Sequence, residues 1–418
     1  MRTIVTCLVG IVCYASASVA VQAWPVAVPY PGNTSVALAR QSEPVRLSVR
    51  PPYHQSSPSF RVVYKFNGGI DGEAPTGPVL AVNGLLFGTT QYGGQYKYSG
   101  YGTLFSLSIA GSEHVLHRFS GGGADGNINY GTQLADINGE LYFTTSGGGH
   151  GGSVLETNSV SGTEKTLYAF QGRPDADFPS GDLLQSGNTL YGTSVTGGYY
   201  GYGTIFQVNT SGAERVLYSF KDGTDGASPS SLIQLNGNFF GITPAGGSYF
   251  AGTLFKLSPP AVETTLYTFK GTTDGGDPSA LIAYNGNLYG TTVWGGAYGY
   301  GTVFATTISG THVIHNFNGA DGIRPLGLFQ YQGMLYGTTY YGGAYGYGTV
   351  FALTTSGEES VLHSFTGGTD GANPAASLTA FNGELYGTTA NGGSPYCFES
   401  LLSESFGPGC GTVFSITP

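Results

Sequence analysis

The sequence predicts an all-β protein, a seven-bladed β-propeller of four-stranded blades that is closed by an N-terminal outer strand. Three observations lead to this fold class. A motif of the type LYGTT recurs seven times, Asn-Gly turns recur at one place in the cycle, and the two ends of the repeat region carry complementary parts of one cycle. A period near 50 residues built of short β runs is typical of propeller blades.

The repeat is defined by the aromatic residue of the LYGTT motif. Successive copies are separated by 55, 49, 49, 49, 47 and 50 residues. The seven aromatic positions are Phe87, Tyr142, Tyr191, Phe240, Tyr289, Tyr336 and Tyr386. Such regular spacing predicts seven copies of one supersecondary unit.

Each cycle contains four strand-like runs, which we name A, B, C and D from the channel axis outward. In the last cycle these are Ala376–Phe381 (A), Glu384–Thr389 (B) and Gly411–Ile416 (C), and the preceding cycle shows D at Val361–Phe365. Short turns join A to B and C to D, because Asn-Gly favours a two-residue hairpin and Ser-Gly is also a turn dipeptide. The A–B turns are Asn83-Gly84, Asn138-Gly139, Asn236-Gly237, Asn285-Gly286 and Asn382-Gly383; the C–D turns include Ser211-Gly212, Ser309-Gly310 and Ser356-Gly357.

The ends of the repeat region predict how the ring closes. Val62–Phe66 matches strand D but precedes the first full cycle, and Gly411–Pro418 matches strand C of a cycle that lacks D. Pairing the two completes a seventh blade. It also removes exposed strand edges, which would otherwise favour aggregation.

The N-terminal region reads as a leader followed by a linker. Residues 1–23 have the pattern of a secretory signal, with Arg2, the apolar run Ile4–Tyr14 and small residues before Trp24. An uncleaved membrane anchor is the alternative. Residues 24–58 are rich in proline and serine and predict an extended linker, and residues 59–418 form the propeller.

The net charge of the repeat region indicates which kinds of partner to expect. Residues 59–418 carry 11 Lys and Arg against 24 Asp and Glu, a net charge of −13. Such a surface repels phosphate backbones and anionic lipids, so we expect no nucleic-acid partner and no membrane span after signal removal. We expect a monomer that is secreted or held at a bacterial cell surface.

The long B–C and D–A loops lie on one face of a propeller, and the B–C loops are rich in aromatic residues. In the phrase GGAYGYGT, found at Gly295–Thr302 and at Gly342–Thr349, the tyrosine before GT recurs in four copies and predicts packing between blades. The more variable aromatics are either packing residues or ligand contacts, since tyrosine rings can do both. These ligand-binding candidates are Tyr92, Tyr96, Tyr199, Tyr200, Tyr249, Trp294, Tyr298, Tyr341 and Tyr345.

The D–A loops carry one aspartate per cycle, followed by glycine. Either Asp-Gly makes a turn whose carboxylate caps backbone amides, or the carboxylates form a ring that binds cations or sugar hydroxyls. We expect no cofactor and no metal; calcium is a weak alternative, because one carboxylate per blade does not supply its six to eight oxygen ligands. The aspartates are Asp71, Asp125, Asp225, Asp274, Asp321 and Asp370, and the third cycle diverges to RPDADFP at Arg173–Pro179.

An enzyme would need residues that break the sevenfold pattern. Candidates in the D–A loops are Arg173, Asp175, Asp177 and Arg324, and His150 lies in a B–C loop. They are too few and too varied to define a mechanism, so the catalytic residues are unknown. We retain Arg173, Asp177 and Arg324 as further ligand-binding candidates.

Cysteine and histidine have structural interpretations. Cys397 and Cys410 bracket an insertion in the last B–C loop, and in an exported chain this predicts a disulfide. His117, His315 and His363 occupy the D-strand position that is tyrosine in other copies, so we interpret them as structural substitutes.

The cycle NGxLYGTTxxGGxxGYGTVF, followed by LysFxGxxDGxxP, resembles the GloVer repeat of bacterial choice-of-anchor surface proteins over residues 60–418. More distantly it resembles Kelch propellers. The resemblance implies an exported bacterial protein and carries no catalytic residues. Relatives often end in an anchoring segment, whereas this sequence stops at Pro418, so cell-wall anchoring is not expected.

Two classes of function remain open. We favour a non-catalytic extracellular binding or scaffolding propeller, with a glycan or a protein as ligand on the tyrosine-rich face. The alternative is a polysaccharide lyase or hydrolase with its site at the mouth of the central channel. Propellers serve both roles, so the fold does not decide between them.

Overall fold

The computed structural model describes residues 58–94, 100–122, 125–147, 151–394 and 409–418. These residues form strands and turns, with one 3₁₀ turn at Gly223–Asp225. Seven antiparallel sheets of four strand positions each are arranged in a ring. The predicted seven-bladed propeller is confirmed.

Blades 1 to 3 take their strands from the first half of the repeat region. Blade 1 contains β2 (Leu80–Val82), β3 (Leu85–Thr90), β4 (Thr103–Leu107) and β5 (Glu113–Arg118). Blade 2 has a divided inner strand, β6 (Asn127–Ile128) and β7 (Ala135–Ile137), then β8 (Glu140–Ser146), β9 (Ser153–Asn158) and β10 (Glu164–Ala169). Blade 3 contains β11 (Ala176–Ser186), β12 (Thr189–Gly197), β13 (Thr204–Asn209) and β14 (Glu214–Ser219).

Blades 4 to 6 repeat the same order. Blade 4 contains β15 (Ser230–Leu235), β16 (Asn238–Thr243), β17 (Thr253–Ser258) and β18 (Val262–Thr268). Blade 5 contains β19 (Gly276–Tyr284), β20 (Asn287–Trp294), β21 (Thr302–Thr307) and β22 (Gly310–Asn316). Blade 6 contains β23 (Ile323–Tyr331), β24 (Met334–Tyr341), β25 (Thr349–Leu353) and β26 (Glu359–Ser364).

Blade 7 joins the two ends of the repeat region. Its strands are β27 (Ala372–Pro374) with β28 (Thr379–Phe381), β29 (Glu384–Asn391), β30 (Thr412–Ile416) and, as the outer strand, β1 (Phe60–Lys65). β1 pairs with β30 in antiparallel register, with Phe60 opposite Ile416 and Lys65 opposite Thr412. The predicted closure by an N-terminal outer strand is confirmed.

A buried phenylalanine at the end of each outer strand holds neighbouring blades together. Phe269 of blade 4, for example, meets Phe304 of blade 5 edge to face, with ring centroids 5.1 Å apart. Such pairs add to the stabilisation that comes from burying the rings. The same contact joins Phe66 to Phe105, Phe170 to Phe206, Phe220 to Phe255, Phe317 to Phe351 and Phe365 to Phe414.

The aspartate of every D–A loop is bound by the preceding outer strand. In blade 4, Tyr267 donates its hydroxyl to Asp274 at 2.9 Å, and the Lys270 backbone N–H donates to the same carboxylate at 3.0 Å. These bonds agree with the first of the two interpretations of the repeated aspartates, in which each carboxylate caps backbone amides of its own loop. The other six pairs are Tyr64–Asp71, His117–Asp125, Tyr168–Asp175, Tyr218–Asp225, His315–Asp321 and His363–Asp370.

These pairs settle two sequence interpretations. His117, His315 and His363 do replace tyrosine at one structural position. Asp175, predicted from its divergent surroundings to break the sevenfold pattern, is the seventh copy of the repeated aspartate. The sequence around Asp175 differs from that of the other copies, so the equivalence is not visible in the sequence.

The B–C loops with the sequence GGAYGYGT bond to the start of the next blade through their backbone. The Tyr300 carbonyl accepts the Arg324 N–H at 3.0 Å, and the Tyr347 carbonyl accepts the Asn373 N–H at 2.8 Å. Gly301, at φ +99°, leaves no room for a side chain, because a Cβ there would lie 2.6 Å from Cδ of Pro325 in the next blade. The link between blades is made by the backbone of these loops, while the predicted packing of the tyrosine rings before GT stays a prediction, since these rings are partly exposed.

Several predictions concern residues outside the described ranges. They include the signal at residues 1–23, nearly all of the linker at 24–58, and Tyr96, His150 and Cys397. Cys410 is buried, and its pairing with Cys397 stays a prediction. Among the residues that the structure describes, we find no membrane-spanning helix.

Candidate ligand site at the channel mouth

The B–C and D–A loops share one face of the ring, which we call the loop face. In blade 5 the Gly296 N–H of the B–C loop donates to the Thr272 carbonyl of the D–A loop at 2.7 Å. Corresponding bonds join the two loops in blades 1, 3, 4, 6 and 7. The A–B and C–D turns lie at the other ends of the strands, on the hairpin face.

Three predicted aromatics lie where the inner strands begin on the loop face. Tyr341 pairs with Ile323, Trp294 pairs with Gly276, and Tyr92 forms a bridge with Glu73. The three rings occupy one position of the repeat, two residues beyond the LYGTT motif. The ring of Trp294 covers Gly276, since a Cβ on that glycine would lie 2.6 Å from the indole. The ends of the second strands therefore place these aromatic residues beside the start of the inner strands on the loop face.

Two further tyrosines meet across the ring. Tyr130 and Tyr340 lie close enough for each to influence the pKa of the other, although Tyr130 lies between β6 and β7 of blade 2 and Tyr340 lies near the end of β24 in blade 6. Blades 1 and 7 separate these blades on the shorter path around the ring. A contact between them must therefore cross the channel mouth. Tyr130 keeps 49% of its surface exposed, as expected for a ring in an open channel.

Arg324 lies beside this tyrosine pair. Its guanidinium carbon is 5.8 Å from the centre of the Tyr340 ring and 5.9 Å from that of Tyr341, within the range of cation–π attraction. Its Nε is buried and has no hydrogen-bond partner. No carboxylate in the described ranges forms an ion pair with Arg324. The guanidinium retains donors for an incoming group.

Asp277 of blade 5 supplies a carboxyl group next to Arg324. Burial raises the pKa of Asp277 to about 6, and the charge of Arg324 opposes that rise. Asp277 therefore changes protonation close to neutral pH. We call Tyr92, Tyr130, Asp277, Trp294, Arg324, Tyr340 and Tyr341 the mouth cluster.

Asp277 and Arg324 share a position where the backbone is left-handed. Their φ values are +55° and +59°, and the equivalent Ala74, Phe178, Ser228 and Asn373 lie between +51° and +57°. A non-glycine residue costs about 1–2 kcal/mol in this region. Glycine would remove that cost, yet this glycine-rich chain has side chains at all six places. Strain of this kind is often retained at functional sites.

The phenols of Tyr92 and Tyr340 are proton donors at neutral pH. Burial, and then the neighbouring Tyr341, raise the pKa of Tyr340 above its ordinary value of 10. Burial and Glu73 raise the pKa of Tyr92 as well. Neutral phenols suit hydrogen bonding and stacking better than proton abstraction.

The other predicted ligand residues lie apart from the mouth cluster. Arg173 donates to the Tyr199 carbonyl at 3.1 Å, and Asp177 accepts the Thr196 hydroxyl at 3.0 Å. The remaining aromatics lie in the B–C loops and are exposed: Tyr199, Tyr200, Tyr249, Tyr298 and Tyr345. The structure thus divides the candidates into a mouth set and a set of loop-tip rings.

One cavity lies away from the mouth cluster. It measures about 520 Å³ and is lined by the inner strands of blades 1, 2 and 3, including Leu80, Asn83 and Leu184. Asp136 is its one ionisable lining residue, and that carboxylate already accepts the Gly139 N–H at 3.0 Å. This cavity offers little chemistry to a ligand, so we place the candidate site at the mouth.

Sequence reasoning missed three members of the mouth cluster. Tyr130 stands where other copies have Thr76, Ser180, Ser230 or Ser279, and Tyr340 where they have Val195 or Val293. Aligning the copies column by column reveals these exceptions. It does not show that Tyr130 and Tyr340 meet, because 210 residues separate them in sequence.

Comparisons with known proteins agree with the fold. The sequence family described as the Gloeobacter/Verrucomicrobia repeat matches residues 99–285 and 264–418. No curated protein matches the chain. Virginiamycin B lyase from Staphylococcus aureus is similar in structure, with TM-score 0.56 and 12% identity, over 86% of this chain and 99% of that one.

A second similar structure is the extracellular domain of the one component system BT4673 from B. thetaiotaomicron. It has TM-score 0.55 and 14% identity, over 87% of this chain and 42% of that chain. At such identities the likeness concerns the fold alone.

Proposed function

Since the chain belongs to the Gloeobacter/Verrucomicrobia repeat family and folds as a seven-bladed propeller, we propose that it acts by binding, with an oligosaccharide held at the mouth cluster. The observation that carries the proposal is the meeting of Tyr130 and Tyr340 across the channel beside Arg324. It concentrates aromatic rings and polar donors at one point of the loop face.

The chemistry of the mouth cluster suits sugar rings. Pyranose faces carry C–H groups that pack on aromatic rings, and their hydroxyls need donors and acceptors around the rim. Trp294 and Tyr92 offer partly exposed rings, Arg324 offers donors, and Asp277 offers an acceptor. The acidic surface of the domain favours a neutral oligosaccharide over a polyanionic one.

We also propose that the protein works outside the cytoplasm. The N-terminal pattern of residues 1–23 supports export, and one structural neighbour is the extracellular domain of a one component system from B. thetaiotaomicron. Fractionation of the native host, with an antibody against the propeller, tests this proposal. Recovery only from the cytoplasm would contradict it.

The binding proposal is tested with a glycan array followed by calorimetry. We expect a neutral oligosaccharide to bind residues 59–418, and Trp294→Ala and Tyr341→Ala to weaken its affinity by about 1–2 kcal/mol each. Asn285→Ala, on the hairpin face, is the control and leaves affinity unchanged. Variants are compared only when their melting temperatures show that the fold is retained. Equal affinity in folded mouth variants would contradict the site.

A catalytic role is the second candidate, and Asp277 is the observation that favours it. A carboxyl group with a pKa of about 6 beside an arginine is suited to general acid–base chemistry near neutral pH. Incubating the bound oligosaccharide with the protein and following its mass separates the two functions. Cleavage that is lost in Asp277→Asn would establish a lyase or hydrolase, and an unchanged mass supports binding.

A further inference from the structure

Two boundaries between blades bring together a histidine and two carboxylates. Between blades 1 and 2, His117 Nε2 lies 3.0 Å from Asp125 Oδ1 and 3.1 Å from Glu164 Oε2. Between blades 5 and 6, His315 Nε2 lies 3.1 Å from Asp321 Oδ2, and Glu359 completes the group. In each trio, one candidate ligand atom per residue lies within 4.8 Å of the others.

The hydrogen bonds within a trio cannot satisfy both of its carboxylates. An imidazole Nε2 carries at most one proton, so it can donate to one of the two carboxylates but not to both. Glu359 Oε1 is buried and has no hydrogen-bond partner, and Glu164 Oε2 is buried and accepts no hydrogen bond beyond its contact with His117 Nε2. A buried carboxylate oxygen without a partner is costly, and this cost is removed when a cation binds it.

We propose that these two trios, His117–Asp125–Glu164 and His315–Asp321–Glu359, are binding sites for a divalent transition-metal ion of the zinc type. Each site would take one imidazole nitrogen and two carboxylate oxygens, and water would complete the coordination. The trios lie at the outer strands, away from the mouth cluster, so the proposal does not depend on the proposed function.

The ligand set decides the class of metal. Zinc binds histidine nitrogen and carboxylate oxygen at about 2.0–2.2 Å, which places neighbouring ligand atoms about 3.3–3.6 Å apart in a tetrahedral site. The separations of 3.0 and 3.1 Å around His117 are a few tenths of an ångström shorter, so a bound ion would need only a small outward shift of these side chains. Calcium prefers six to eight oxygen ligands, so a trio that includes imidazole is a poor calcium site.

The propeller contains its own negative controls. At the boundary between blades 6 and 7, His363 also meets an aspartate, Asp370, but Phe60 stacks on the imidazole at 3.7 Å where a glutamate would complete a trio. At four other boundaries tyrosine replaces the histidine: Tyr64, Tyr168, Tyr218 and Tyr267. A neutral phenol keeps the bond to aspartate without supplying a nitrogen ligand. Histidine-to-tyrosine variants should therefore keep the fold and lose the metal.

The test uses the untagged full-length protein, stripped with a chelator and titrated with zinc chloride by calorimetry. We expect two zinc ions per chain in the parent, one in His117→Tyr, one in His315→Tyr and none in the double variant. His363→Tyr should keep both. Filling one site at one hundred times its Kd should raise the melting temperature by about 3–4 °C, and calcium chloride should give no such rise.

Glu164→Gln and Glu359→Gln provide a second route to the same answer. Each removes a charged ligand without touching the histidine, and we expect at least a tenfold weaker affinity for zinc at the altered site. The proposal is overturned if the stripped parent binds no zinc, or if the double tyrosine variant binds as many ions as the parent.

Discussion

Phe143 and Leu155 lie opposite each other on β8 and β9 of blade 2, where the other six blades pair a glycine with a phenylalanine. In blade 7, for example, Gly387 faces Phe414, whose ring lies over the glycine. Blade 2 reverses the large and the small residue across the strand pair. Phe143 then meets Phe119 of blade 1 edge to face at 5.8 Å, so the aromatic contact between blades is kept.

The reversal predicts strong coupling between Phe143 and Leu155. Phe143→Gly empties a buried site and should destabilise the fold by about 3–5 kcal/mol, and Leu155→Phe overfills the site at a cost of about 1–3 kcal/mol. The double variant restores the arrangement of the other blades and should be more stable than the sum of the single effects implies. A double-mutant cycle from denaturant unfolding measures the coupling. Additive effects would show that the two residues do not share one space.

Ring closure predicts a large effect of removing β1. Deleting residues through Lys65 exposes the edge of β30 and removes Phe60, which contacts His363, Phe365 and Phe414. We expect aggregation or a sharply lower melting temperature, because an unpaired edge strand is a template for association. Deleting only residues 1–57 is the matched control. A shared melting temperature would contradict the role of β1 in closure.

Because of Glu214, the free energy of unfolding should fall as pH rises. Burial, and then the negative charge of Asp175, raise the pKa of Glu214 to about 7. The folded state therefore holds a proton that the unfolded state loses near the ordinary value of 4.5. The stabilisation is complete below about pH 4.5 and is lost as pH rises through about 7. Glu214→Gln should reduce the loss of stability between pH 5 and pH 8.

The control for this pH effect is Glu358→Gln, because Glu358 is exposed. Its unfolding profile should follow the parent at every pH. Melting temperatures measured across the range decide the matter: an unchanged slope in Glu214→Gln would mean that Glu214 ionises in the folded state with its ordinary pKa.

Replacing Arg324 should weaken ligand binding without lowering the stability of the fold. Arg324→Gly relieves the left-handed strain at φ +59°. The free energy of unfolding should stay unchanged or rise by about 1 kcal/mol, since the flexibility of glycine offsets part of the gain. Binding of the oligosaccharide found in the array should fall at least tenfold. Arg324→Asn, which copies Asn373 of the next blade, should behave alike. Undiminished binding in both variants would exclude Arg324 from the site.

Cys397 and Cys410 are predicted to be oxidised in the exported protein. Their link would close a loop of about a dozen residues, for which chain entropy gives roughly 3 kcal/mol. Mass spectrometry of peptides from non-reduced protein should find the cross-linked pair. Two free thiols in freshly secreted material would contradict the prediction.

Much of the architecture could be read from periodicity. Seven copies of LYGTT, the Asn-Gly turns and the D-type run at Val62–Phe66 predicted the blade count, the strand order and the closure. These features are visible in sequence because they rest on local turn chemistry and on side-chain alternation within a strand. The binding candidates on the loop face were predicted for the same reason: they lie in loops that the repeat itself defines.

Only the tertiary structure decided which residues act together. Ring closure brings Tyr130 to Tyr340 and Arg324 across the channel mouth, although they lie in blades 2 and 6. Blade packing likewise joins His117 of one outer strand to Glu164 of the next. The sequence determined the repeating unit, because local backbone preferences act within a few residues. The closed ring determined the contacts among residues that depart from the repeat, because those contacts form only after all seven blades have packed.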